Sequence, residues 1–244
     1  MLIVGISNET WKILCFRQSV LCEGKSSQEF VKGLKAIGFD PQKIPNFEEI
    51  SKKLTTGWKV SAVPGLIPVK EFFEMIARRE FPTTTWIRSS DSLDYIQEPD
   101  LFHDVFGHVP MLTNQLFCNF MAEIGKIALK WIDNPQAIEI LSRLWWFTVE
   151  FGLIREDGQL KAFGGGILSS RAEVLHSVSD KPTHRPFEVQ EIFRTPFQID
   201  RIQDQYFVIE SFDQLFDCLK EVETLLEMEL ACVIKNTAST IVNG

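Results

Sequence analysis

The stretch EPDLFHDVFGHVPML, residues 98–112, places two of the chain's four histidines five residues apart, with Glu98, Asp100 and Asp104 beside them. Their other neighbours are apolar: Phe102, Val105, Phe106, Val109 and Met111. An imidazole in such company must find a hydrogen-bond partner or a metal, because burying its nitrogens unpaired is costly. A second segment, WWFTVEF (145–151), sets Glu150 among large aromatic side chains. A carboxylate there either takes up a proton or is held by a cation. Two imidazoles and one carboxylate are the ligand set of mononuclear non-haem iron enzymes, which leaves positions open for oxygen and substrate. The same donors also suit zinc, so the residue types leave the metal open between the two.

Spacing constrains how such ligands converge. On an ideal α-helix, positions i and i+5 lie about 140° apart, so His103 and His108 do not share a face. Gly107 and Pro110 predict that the helix ends or distorts near His108, letting the rings meet. On a regular helix Glu150 shares a face with Trp146 at i−4 and Phe147 at i−3. This is not the H-E-x-x-H pattern of zinc proteases, in which i and i+4 already converge.

The elements that must position these residues are mostly helical. Ser26-Ser27-Gln28-Glu29 offers a helix start, Phe30, Leu34 and Ile37 an apolar stripe, and Gly38 a stop. Residues 69–81, VKEFFEMIARREF, have helical periodicity and stop at Pro82. Asn114 caps a long helix carrying Leu116, Phe120, Ile124, Ile127 and Trp131, and Asn134-Pro135 opens another that runs to about Gly152. A last helix starts at Ser211 and reaches Cys232. Strand candidates are short, at residues 59–63, 160–163 and 206–210. The expected fold class is mainly α with a small β component (α+β), as one domain over residues 1–244.

Bulk properties exclude several classes. A net charge of −8 lacks the basic footprint of a nucleic-acid binder. No run of 18 apolar residues predicts a membrane span, and the opening MLIVGISNETWKIL lacks a signal peptide's basic region and cleavage site. Five scattered cysteines, without C-x-x-C, match neither a disulfide framework nor a zinc ribbon, and point to reduced thiols in a cytoplasmic protein. Twenty phenylalanines against two tyrosines predict aromatic walls for any pocket.

Three segments, GLIPVKEFF (65–73), TTTWIRSSDSLDYIQEPDLFHDVFGHVPML (83–112) and LWWFTVEFGLIREDGQLKAFGGGILSS (144–170), resemble the pterin-dependent aromatic amino acid hydroxylases, most of all their short bacterial phenylalanine-hydroxylating members. The resemblance runs from about Trp11 to Phe216. It implies a catalytic domain without regulatory or tetramerisation domain, hence a monomer, and the cofactors Fe(II) and a tetrahydropterin such as tetrahydrobiopterin, with dioxygen as co-substrate. It makes His103, His108 and Glu150 the iron ligands. Gly65, Leu66, Ile67, Phe72 and Asp104 fall at pterin positions, with Phe72 the stacking ring. Arg88, Ile96, Pro99, Asp100, Trp146 and Ser169 fall at substrate positions, with Arg88 on the substrate carboxylate and Asp100 orienting it in a bidentate pair.

The chain also departs from this family. Trp145 stands near the iron where the family usually has a tyrosine, so any hydrogen bond from that hydroxyl is expected to be lost. Ile96 replaces a threonine, and Phe197 a tyrosine, of the animal members. The implied activity is ring hydroxylation of an aromatic amino acid, L-phenylalanine to L-tyrosine. Tyrosine, tryptophan or broad specificity are the alternatives within the family. From another class, the three ligands would suit a zinc hydrolase or a structural metal site.

Overall fold

The computed structural model describes residues 8–94, 98–199 and 201–242, with side chains to residue 232. Helix α1 (Asn8–Cys22) leads to α2 (Gln28–Ala36) and α3 (Phe47–Lys53). Strand β1 (Lys59–Val63), α4 (Val69–Ala77) and β2 (Glu80–Thr84) follow, the two strands pairing in parallel around the helix. Next come α5 (Gln115–Lys130) and α6 (Pro135–Trp145), the long helices at the centre. Strands β3 (Leu153–Glu156) and β4 (Gln159–Ala162) form a hairpin, followed by α7 (Gly165–Leu168) and α8 (Arg171–Ser177). Strand β5 (Thr183–Pro186), α9 (Val189–Arg194), β6 (Gln205–Ile209), α10 (Phe212–Asp217) and α11 (Leu219–Val242) complete the order. The second sheet runs β4-β3-β6-β5, with β6 parallel to both β3 and β5.

The expected helix starts are where the local chemistry puts them. Ser27 accepts from the Phe30 amide, Asn114 from Phe117, Asn134 from Gln136 and Ala137, and Ser211 from Gln214. Each satisfies amides that the first helical turn leaves unpaired.

Two boundaries differ from the sequence reading. The helix expected over residues 69–81 ends at Ala77, because Arg79 takes a left-handed φ of 63° and turns the chain into β2. Phe81 and Pro82 are therefore strand residues. Pro82 is tolerated because β2 is an edge strand of a two-stranded sheet, where a missing N–H need not break a ladder. The final helix divides at Cys218 into α10 and α11, and its backbone continues past Cys232 to Val242. The core gathers Phe102, Phe106, Phe117, Phe120, Phe147, Phe163 and Phe207, all essentially inaccessible, as the phenylalanine excess implies.

Candidate metal centre

Both ligand-bearing segments are π-helical turns, at His103–His108 and Trp146–Glu150. In a π-turn the backbone bonds i to i+5, so residues five apart come to one face. That resolves the spacing of the histidines. The helix does not end before His108; it widens, and then tightens into a 3-10 turn over Val109–Thr113. The second π-turn likewise changes the neighbours of Glu150. Its carboxylate meets the residue five before it, Trp145, rather than Trp146 or Phe147 as on a regular helix.

His103 Nε2 and His108 Nε2 are 3.1 Å apart. Glu150 Oε2 lies 3.3 Å from the latter and 3.6 Å from the former. Three lone-pair donors at such distances repel one another unless a positive charge sits among them. Ligands about 2.1 Å from one metal ion stand about 3.0 Å apart at right angles and about 3.4 Å apart in a tetrahedron. The observed separations fit a single ion.

The surroundings prepare each ligand. Ser169 Oγ–H donates to the Gly165 carbonyl at 2.8 Å, so its one proton is committed. The 2.9 Å contact between His103 Nδ1 and Ser169 Oγ must then have the imidazole as donor. This fixes the tautomer and leaves the Nε2 lone pair facing the other ligands. Burial, and then the neighbouring His108, lowers the His103 pKa to about 4, keeping the ring neutral. Burial opposes charge on Glu150 too, but His108 and His103 outweigh it and hold the carboxyl down at about 2. Burial also opposes charge on His108, yet Glu150 raises its pKa. The cluster thus favours a positive charge among its donors, which a metal ion would supply.

The side chains of Glu150 and His103 stay 18% and 14% exposed, whereas His108 is 3% exposed. One side of the centre is therefore open. The closed side is made by α7: a Cβ on Gly165 would lie 2.3 Å from the His108 ring, and one on Gly107 would lie 2.6 Å from the Gly165 carbonyl. Only glycine permits this approach.

Two hydrogen-bonded extensions leave the centre. In one, Asp100 accepts the His103 amide at 3.0 Å and grips Arg88 in a bidentate pair, at 2.7 Å to Nε and 2.9 Å to Nη2. Burial resists the charge on Asp100, but Arg88 outweighs it and lowers the pKa. Arg88 Nη1 also donates to the Leu93 carbonyl at 3.3 Å, so three of five guanidinium N–H groups are engaged and two remain. In the other, Trp145 Nε1–H donates to Glu150 Oε1 at 3.2 Å, and its ring meets Phe72 edge-on at 5.1 Å. Position 145 thus carries no hydroxyl, yet its indole gives Glu150 a hydrogen-bond donor.

The other expected site residues are placed as follows. Asp104 is buried and accepts the Thr84 amide at 2.7 Å. Burial pushes its pKa up to about 7. Trp146 is half-buried and stacks on Phe197 at 4.5 Å between ring centroids. Gly65, Leu66 and Ile67 lie in the loop between β1 and α4, with Leu66 72% exposed, and Pro99 is exposed beside Asp100. Among the described residues, none of these four joins the hydrogen-bonded cluster. Ile96 lies outside the described residues. Sequence reasoning missed Gln203, which accepts from Trp146 Nε1 at 3.1 Å, and Thr84. Neither carries a local signal. The run Gly164-Gly165-Gly166 is the one sequence hint of the close backbone approach at α7.

An open-sided set of two histidines and one carboxylate, raised on π-turns in a mainly helical α+β fold, defines a mononuclear non-haem metal centre of the facial-triad class. Comparison with known proteins makes the class specific. The model of the biopterin-dependent aromatic amino acid hydroxylases matches residues 5–242, and the chain belongs to that family. It is 43% identical to a phenylalanine-4-hydroxylase of Ralstonia nicotianae over 96% of this chain and 76% of the relative. It is 36% identical to the tyrosine 3-monooxygenase of Rattus norvegicus, over 89% of this chain and 45% of that one. The fold matches Chromobacterium violaceum phenylalanine hydroxylase with bound iron(III) and oxidised 7,8-dihydrobiopterin at a TM-score of 0.87 and 43% identity, covering 93% of this chain and 82% of that one.

Proposed function

We propose that the protein converts L-phenylalanine to L-tyrosine, using Fe(II), a tetrahydropterin and dioxygen, with His103, His108 and Glu150 as the iron ligands. One observation carries the reading: the triad is open on one side and tied through Asp100 to a buried arginine and through Trp145 to a half-exposed phenylalanine ring. A metal, an amino acid carboxylate and a flat heterocycle would each meet a suited partner around one centre. The phenylalanine-4-hydroxylase relatives, at higher identity than the tyrosine 3-monooxygenase, support the choice of substrate. The iron and dihydrobiopterin held by the Chromobacterium protein support the cofactors.

Bound iron and reduced pterin supply oxygen activation and two electrons; the protein supplies position and electrostatics. Arg88 offers its two remaining N–H groups to the substrate carboxylate, while Asp100 keeps the guanidinium plane fixed. Because Asp100 also holds the His103 amide, the anchor and the metal ligand move as one unit. Trp146, backed by Phe197, forms an aromatic wall for the substrate ring. Phe72 offers its face to the pterin, with the backbone of Gly65, Leu66 and Ile67 at the polar edge. Ser169 keeps the His103 proton on Nδ1, away from the metal.

We take the whole chain as one catalytic unit that acts as a monomer; His103, His108, Glu150, Arg88 and Asp100 form the site without a residue from a second copy. We place it in the cytoplasm. Cys15, Cys22, Cys118, Cys218 and Cys232 are free thiols, which suits a reducing compartment. Among the described residues, no helix is long and apolar enough to cross a membrane.

The test is a competition assay. Protein loaded with Fe(II) without air receives tetrahydropterin, air and equal phenylalanine, tyrosine and tryptophan, and products are identified by mass. Tyrosine is expected first. DOPA or 5-hydroxytryptophan as main product would overturn the substrate assignment, and no hydroxylation with iron bound would overturn the activity.

A further inference from the structure

The loop that carries Phe197, Gln198, Arg201 and Gln203 is closed by one side chain. Gln203 is 6% exposed, and every polar atom it has is engaged. Its Nε2 donates to the carbonyls of Gln198 at 2.8 Å and Arg201 at 2.9 Å. Its Oε1 accepts from Trp146 Nε1 at 3.1 Å. Its main-chain amide donates to Glu173 Oε1, and its carbonyl accepts from His176 Nε2, both at 3.1 Å. A flipped amide would set NH2 against the indole N–H and oxygen against two carbonyls, so only one orientation satisfies the site.

This residue is itself anchored from beneath. Glu173, on α8 and also 6% exposed, takes the Gln203 amide on one oxygen and the Tyr206 hydroxyl on the other. From the same loop, Phe197 stacks on the indole of Trp146 with 19° between the rings. Phe197 and Phe151, at 4.5 and 4.6 Å between centroids, hold the indole by its faces. The hydrogen bond that Nε1–H donates to Gln203 Oε1 is the contact that fixes its polar edge.

We propose that Gln203 is a positioning residue: through the Trp146 indole it sets where the ring of the aromatic amino acid rests, and hence which ring carbon is hydroxylated. The inference rests on the proposed function, in which Trp146 lines the substrate pocket. Site selection on a ring is a matter of ångströms, since a small misplacement near the reacting atom alters rate steeply. An indole whose polar edge is not fixed gives the substrate ring more than one resting place. Oxygen is then delivered to the 3-position as well as the 4-position, or is consumed without hydroxylation.

The experiment compares wild type, Gln203→Met, Trp146→Phe and the double variant. Methionine keeps the length and loses every side-chain hydrogen bond. The first readout is the indole N–H region of the 15N–1H spectrum of the metal-free protein, where the six tryptophans report separately. The second is the ratio of tyrosine to 3-hydroxyphenylalanine, with hydroxylated product per pterin oxidised. In Q203M the Trp146 resonance should move while the others stay. 3-Hydroxyphenylalanine should appear, and kcat/KM for phenylalanine should fall about 5- to 10-fold, the scale of one lost hydrogen bond. On the Trp146→Phe background, which lacks the N–H, the same change should alter the product ratio less than twofold. If Q203M does not fold, Gln203→Asn reads the same ratio, since its shorter side chain draws the amide oxygen away from Trp146 Nε1; the shift should have the same direction. An unchanged product ratio and coupling, with the Trp146 resonance displaced, would overturn the inference and leave the proposed function standing. Wild type making no hydroxylated amino acid would overturn both.

Discussion

Replacing Trp145 by phenylalanine isolates one hydrogen bond at the metal centre. The indole N–H donates to Glu150 Oε1 at 3.2 Å, while Oε2 of the same carboxylate faces both imidazoles. The bond therefore divides the two oxygens, one for the protein and one for the metal, before any ion arrives. A hydrogen bond to a charged group contributes about 1.5–3 kcal/mol, and a distance at the long end of the normal range argues for the lower figure. About 1.4 kcal/mol is a factor of ten in a dissociation constant, at the lower edge of the roughly 10- to 100-fold effects of groups that orient metal ligands. Trp145→Phe is accordingly expected to weaken Fe(II) or Co(II) binding about tenfold, measured by competition with a chelating dye. Trp145→Tyr, which restores a donor, is expected to recover most of the loss. Melting of the metal-free protein serves as control, because the smaller ring also forfeits packing against Phe72. A metal affinity within about twofold of wild type would refute the reasoning. So would a loss of stability equal with and without metal, which would reduce the indole to a packing group.

Three further outcomes follow from other contacts. Ser169→Ala removes the acceptor that keeps the His103 proton on Nδ1, and metal affinity by the same titration should fall about tenfold or more, with the fold unchanged by circular dichroism. Arg88→Lys keeps the charge but cannot form the bidentate pair with Asp100; steady-state kinetics should show kcat/KM for phenylalanine lowered at least about tenfold, while iron content stays at wild-type level. For Glu173, burial holds the folded pKa up at about 7 against an ordinary 4.5. A carboxyl raised on folding costs nothing below the unfolded pKa, costs more as pH rises from about 4.5 to 7, and levels off above. At about 1.4 kcal/mol per pKa unit the penalty reaches about 3 kcal/mol. Glu173→Gln should therefore gain stability relative to wild type in denaturant titrations at pH 8 but not at pH 4.5, and equal differences at both pH values would refute this.

Much of the site is legible because its chemistry is concentrated in short segments. His103, Asp104 and His108 lie within six residues, and Glu150 announces itself as a carboxylate amid aromatic rings. The helix starts are legible for a similar reason, since an N-cap needs only its own side chain and the next three amides. What escapes is structure decided by partners distant in the chain. Strand β2 forms because β1, some twenty residues earlier, offers a parallel edge; the helical periodicity of residues 69–81 is a real local preference that this pairing overrides. Helix α1 carries Ile13, Phe16 and Val20 exposed opposite a buried face of Trp11, Leu14 and Cys15, so it has no clean apolar stripe to read.

The π-turns show best where local geometry and the site pull apart. Regular helical geometry says that residues five apart diverge, and the resemblance to a family says that they converge on one metal. The sequence clue, Gly107 with Pro110, predicts that the helix ends or distorts near His108, without saying which. The structure widens the turn, and it does so a second time at Trp146–Glu150. A π-turn sacrifices regular hydrogen-bond geometry, and such turns are frequent at functional sites because they aim side chains that an α-helix cannot bring together. Here the same device serves both halves of the centre: it brings His108 to His103 and sets Trp145 against Glu150. The wider turn also explains how the indole of Trp145 reaches Glu150. A donor five residues before the carboxylate reaches it only across a π-turn, and an indole that meets it there still extends to Phe72. The substitution at residue 145 and the irregular helix at residues 146–150 are thus one feature, and the metal affinity of Trp145→Phe reads both.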